Sequence, residues 1–223
     1  MKRNALTISA FVFMVVALYL VFIYVPTEQQ MGIVQRIFYL MVPVAWLAML
    51  AYVITAVSSI LFLTKKNEKW DTLARASGEI GLVFTLLTCT TGATWAKPVW
   101  GVWWDWGTPR LTSSLILLFI FLAYFLVRNL ASEEYRGAVF ASVVAIVGLA
   151  DIPIIILSTS LWGGMHPPEL IFQAGGLDPK MGFTLGMSII AFTLLYFALL
   201  AFRVSQRNDE ATLRMLKDED LIQ

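Results

Sequence analysis

Six apolar runs, at about 6–25, 37–63, 78–96, 111–127, 138–158 and 181–202, occupy most of this 223-residue chain. Each is close to the ~20 residues a helix needs to cross ~30 Å of hydrocarbon. Lipid admits only structures that satisfy their own backbone hydrogen bonds. The runs are continuous rather than alternating, so helices are expected and not a barrel. With 59% hydrophobic residues and a mean hydropathy of +0.76, the chain carries more apolar surface than one soluble core of this size could bury. The expected fold is all-α, a polytopic membrane bundle of six transmembrane helices over residues 1–203 with a tail at 204–223. Met1-Lys2-Arg3 precedes a run of spanning length with no small-x-small cleavage site after it, so the first run is read as a span and not a signal peptide.

Placement of Lys and Arg sets the expected orientation. Lys2, Arg3, Lys65, Lys66, Lys69, Arg75, Arg128, Arg136, Arg203, Arg207, Arg214 and Lys217 fall on the side of the amino terminus. Only Arg36, Lys97, Arg110 and Lys180 fall opposite. Twelve against four predicts both termini in the cytoplasm, with the richer loops on the opposite face of the membrane. The formal net charge of +1 gives no sign of a nucleic-acid partner. A single cysteine, Cys89, excludes an internal disulfide and a Cys-x-x-Cys exchange pair, and no phosphate-binding Gly-rich loop is present.

Chemistry-bearing residues gather in two outer segments. Residues 95–110 hold Trp95, Lys97, Trp100, Trp103, Trp104, Asp105, Trp106 and Arg110, with five of the eight tryptophans. Residues 158–180 hold Trp162, the only histidine His166, and Pro167-Pro168. A tryptophan at a membrane boundary is ordinarily a belt residue. Four within 100–106, interleaved with Gly101 and Gly107, also suit a flexible surface for a flat apolar ligand, with Lys97 and Arg110 placed to hold its carboxylates. Both readings stand at this point. His166 is the one side chain that would ordinarily ligate iron through nitrogen, although a lone loop histidine is more often simply solvated. Asp151, within the fifth run and two residues before Pro153, is expected to face the bundle interior. Glu79 is expected to complement a helix amino terminus.

Trp100-Gly101-Val102-Trp103-Trp104, followed by Arg110-Leu111-Thr112-Ser113, resembles the WWD domain of the heme-handling proteins of cytochrome c maturation. Gln35 to Trp46, Thr91 to Gly101, and Ile152-Pro153-Ile154-Ile155 with Trp162 and His166 resemble further segments of one such family, CcmC. The resemblance implies a non-enzymatic membrane protein that binds heme b on its outer face and passes it to the heme chaperone CcmE. The ABC transporter subunits CcmA and CcmB, and the small membrane protein CcmD, would be partners. It implies a porphyrin site formed by Trp95, Trp100, Trp103, Trp104, Asp105, Trp106, Lys97, Arg110 and Trp162, with His166 as axial ligand.

Two departures qualify that transfer. The family's first heme histidine falls on Met41, in Tyr39-Leu40-Met41-Val42-Pro43, so bis-His ligation within this chain is excluded. Met41 either supplies a thioether ligand to iron or fills space at a helix end. The family usually has its aspartate after the last tryptophan and one residue fewer before the arginine, whereas Asp105 stands between Trp104 and Trp106, which leaves the family role of Asp105 open. The rival readings are a CcsA- or CcmF-like heme-attachment component, against which the small number of helices and histidines counts, and a small-solute permease whose tryptophans form only a belt.

Overall fold

The computed structural model describes residues 2–29, 31–162 and 177–220. Its helices are α1 (Lys2–Tyr19), α2 (Phe38–Lys65), α3 (Glu68–Trp100), α4 (Pro109–Leu130), α5 (Glu134–Gly148), α6 (Asp151–Trp162) and α7 (Pro179–Asp220). A π-helical turn, Leu20–Tyr24, extends α1, and a 3-10 turn, Ile33–Ile37, leads into α2. The described residues contain no strand, only an isolated bridge between Glu28 and Gly32.

Five segments are long and apolar enough to cross a membrane: Asn4–Tyr24, Ile33–Lys65, Pro109–Leu130, Glu134–Ser158 and Pro179–Leu213. The sixth member of the bundle, α3, has 33 residues but opens on a charged segment and carries threonines through its second half, which lowers its hydropathy. It packs against α2, α4 and α7. Large apolar side chains such as Phe11, Ile23, Phe119, Leu126, Phe140 and Val147 stay exposed around the bundle, as expected where lipid rather than water is the neighbour.

The run at 138–158 forms two helices. Gly148 ends α5, the chain turns at 149–150, and Pro153 sits in the first turn of α6, where its missing N–H breaks no helical bond. Across the break the backbone tightens, with Leu149 N donating to Ile146 O at 3.2 Å. Asp151 starts α6 at 6% exposure, and its Oδ2 has no hydrogen-bond partner among the described residues. It faces the interior as expected.

Helix contacts use small residues and a few hydroxyls. Val44, Leu47, Ala51, Ala76, Ile80, Phe84, Tyr196 and Leu200 join α2, α3 and α7 in one cluster. Within it Ser77 Oγ donates to Ala51 O at 2.8 Å and lies 2.8 Å from Tyr196 Oη. A Cβ added at Gly81 would stand 2.3 Å from the Phe121 ring, so α3 and α4 approach as closely as they do only because that position is glycine. Tyr52 Oη donates to Ala145 O at 3.0 Å and ties α2 to α5.

The up-and-down path gives the bundle two different ends. At one, the end of α1 and the starts of α2 and α7 meet through Val21, Val25, Tyr39, Met181 and Leu185, and the 3-10 turn touches α3. The tryptophan loop between α3 and α4 belongs to this aromatic end. The opposite, ionic end contains the connections at 66–67 and 131–133. The charged stretch at 64–77, between the second and third apolar runs, is mostly the opening of α3. Glu79 is therefore eleven residues inside that helix, counting from Glu68, and does not complement a helix terminus. It accepts from Arg203 Nε at 2.5 Å and from Arg207. The tail from 204 onward continues α7, whose 42 residues span about 60 Å, roughly twice the hydrocarbon thickness.

Candidate functional site

The tryptophan segment is shorter as a loop than it reads in sequence. Trp95, Lys97 and Trp100 lie on the last turns of α3, Arg110 on the first turn of α4, and only 101–108 is non-helical. Gly101 ends α3 at φ +79°, a left-handed position that a side chain would strain, and its N–H caps Lys97 O at 3.0 Å. Lys97 folds back on the same turn. Its Nζ donates to Gly101 O at 2.9 Å and stands 6.0 Å from the centre of the Trp103 ring.

Asp105 holds the other half of the loop. Its carboxylate accepts from Gly107 N at 3.2 Å and from Thr108 Oγ1 at 2.5 Å, an Asx-type turn that delivers the chain into Pro109 at the first position of α4. Thr112 Oγ1 reaches back to Trp106 O at 3.2 Å. The two glycines suggested a flexible surface. These bonds instead fix the loop at both ends.

The tryptophans then divide by exposure. Trp95 is 5% exposed and packs edge-to-face on Trp100, with ring centres 5.3 Å apart, so it forms the base of the loop. Trp103 and Trp106 are 60% and 71% exposed and present their rings outward. Trp104 lies between, edge-to-face with Trp106 at 5.9 Å, and its buried Nε1–H has no acceptor among the described residues. The exposed aromatic faces of Trp103 and Trp106 fit a flat apolar ligand. Arg110 adds a cation in the first turn of α4, where the helix dipole already favours an anion.

Met41 is half-buried in the first turn of α2, at the aromatic end. Pro43, buried two residues later, removes the N–H that would bond to Tyr39 O, so the backbone around Met41 is less constrained than in mid-helix. Trp162 ends α6 at 63% exposure. His166 and the segment 163–176 lie outside the described residues. The sequence reading missed the ionic end, where Arg128 forms a two-pronged ion pair with Asp71 at 2.6 and 2.5 Å, across 57 residues of chain. The signal available was the recurrence of Arg and Asp or Glu at several helix ends, which orientation counting had absorbed.

The family described as heme exporter protein C, CcmC, matches residues 2–217. The chain belongs to the CcmC family. It is 41% identical over 159 residues to a putative cytochrome c biosynthesis ccmC-like mitochondrial protein of Marchantia polymorpha, covering 71% of this chain and 67% of that protein. Heme exporter protein C of Bradyrhizobium diazoefficiens is 35% identical over 176 residues, covering 78% of this chain and 66% of the relative. The Escherichia coli protein of the same name is 33% identical over 181 residues, covering 81% and 73%. The matched region thus spans about two thirds to three quarters of these relatives' own length.

Proposed function

We propose that this CcmC-family chain binds heme at its aromatic end and hands it on during cytochrome c maturation. The observation that carries the reading is the tryptophan loop itself. Trp103 and Trp106 present their rings outward from a loop whose second half is tied by Asp105 and Thr112. Heme supplies the flat apolar face and the carboxylates that such a surface lacks. In this account Trp100, Trp103, Trp104 and Trp106 bear on the porphyrin, Trp95 supports them from below, and Trp162 closes one side from α6. Lys97 and Arg110 hold the propionates, while Asp105 acts by shaping the turn. His166 is the axial ligand, with Met41 as the candidate for the opposite side.

The finer reading takes the cargo as heme b and the acceptor as the chaperone CcmE. CcmA and CcmB, with CcmD beside them, form the assembly that drives release. Both termini are cytoplasmic, the chain lies in a bacterial inner membrane, and the tryptophan loop faces the periplasm. Heme transfer rather than bond making accounts for the residues present, so no enzymatic step is assigned.

Absorbance of the full-length protein purified from heme-replete cells tests this directly. A Soret band, or its appearance on titration with heme, is expected. A colourless protein that takes up no added heme would return the tryptophans to a membrane belt.

A further inference from the structure

One ionisable group lies deep in the bundle and takes no part in the heme site. Asp151 is 6% exposed, at the first residue of α6 and inside the span Glu134–Ser158. Its Oδ2 is closed off and meets no hydrogen-bond donor among the described residues. The amino terminus of α6 favours an anion, yet none of its N–H groups reaches that oxygen.

The helices packed around it bring no cation to its level. Neither Lys nor Arg occurs in α2 between Arg36 and Lys65, in α3 between Arg75 and Lys97, in α4 between Arg110 and Arg128, or in the chain between Arg136 and Lys180. Glu79, the acidic residue that α3 carries into the bundle, is already paired with Arg203 and Arg207 at the ionic end.

The immediate surroundings are apolar. Ile152, the next residue, packs with Tyr52 and Ala56 of α2 and with Leu117 and Phe121 of α4, and Met49, Leu82 and Ile120 close around them. Tyr52 supplies the only hydroxyl of that cluster, and it lies at the α5–α6 break, in the space a Cβ at Gly148 would need. Its hydrogen is committed to Ala145 O at 3.0 Å. The tyrosine can therefore accept a hydrogen bond but has no second hydrogen with which to answer a carboxylate. An anion left without donor or cation is strongly disfavoured in hydrocarbon, and such a group takes up a proton instead.

We propose that Asp151 carries its proton at neutral pH and stands as an uncharged carboxylic acid at the break between α5 and α6. Protonation gives the side chain an O–H donor in a place where its neighbours offer acceptors. The chain then changes direction inside the membrane without a buried anion, and α6 runs from that bend to Trp162 at the aromatic end.

Infrared spectroscopy of the full-length protein in lipid nanodiscs tests it, with an isotopic label on the aspartate carboxyl carbons. At neutral pH the label-shifted spectrum should contain the carbonyl stretch of a protonated carboxyl, which an ionised carboxylate lacks, and exchange into heavy water should move that band. Asp151→Asn should abolish it while the carboxylate bands of the other aspartates remain. Should that variant fail to fold, Asp151→Glu serves instead, because its acid band should appear without the isotope shift. The measurement needs no bound heme. Carboxylate bands alone in the unmodified chain, or an isotope-shifted acid band that survives the substitution, would overturn the proposal.

Discussion

Met41 is where one side chain separates this sequence from the pattern it resembles. The residue stands in the first turn of α2, half-buried, two positions before Pro43. A thioether opposite an imidazole favours reduced iron more than a second imidazole does. If Met41 is a ligand, Met41→His should convert the heme to a bis-His form, lower its reduction potential and change its visible spectrum. His166→Ala should weaken heme binding in either background. An unchanged spectrum and potential in Met41→His would make Met41 a packing residue. The sequence made both alternatives visible and could not choose, since a methionine at a helix end packs and ligates with the same flexible side chain. It misplaced Glu79, which it set at a helix amino terminus. Its partners Arg203 and Arg207 lie 124 and 128 residues away, and no local pattern signals a pairing that exists only once α3 and α7 lie side by side.

At the scale of elements, the helices were readable from their apolar runs, while several boundaries were not. The opening of α3 falls outside the third apolar run because its charged residues suit a connection as well as an amphipathic first turn. The break between α5 and α6 is explained by Gly148 and Pro153, both legible, but its position at 149–150 depends on how the chain packs against α2 and α4. In the tryptophan loop the residue types were evident, and the turn built by Asp105 was not, because it rests on side-chain bonds to Gly107 and Thr108. That rigidity bears on how the loop should respond to mutation. Trp103 and Trp104 are adjacent but differently exposed, so each can retain part of a ligand surface when the other is cut back. Replacing both by Ala should weaken heme retention by roughly 5- to 150-fold, against roughly 2- to 13-fold for either single change, if each ring contributes about 0.5–1.5 kcal/mol. Heme titration of the three variants measures it. Undiminished occupancy in the double variant would sink the platform.

For the molecule as a whole, the bundle's two ends are chemically opposite. One gathers tryptophans, Met41 and Trp162. The other gathers Arg75, Arg128, Arg203 and Arg207 with their carboxylates. The even count of apolar runs and the alternation of their connections were legible from the sequence. The ion-paired state of the basic residues was not. It matters for orientation, since topology follows positive charge held near the membrane and depends little on Asp and Glu. Twelve Lys and Arg against four therefore still predict the ionic end in the cytoplasm, although Arg128 and Arg207 are paired in the folded chain. Reporters fused after Lys66 and Asn129 should read cytoplasmic, and those after Gly107 and Pro168 external. An external signal after Lys66 would invert the bundle and put the tryptophan loop on the side from which no periplasmic chaperone could take heme.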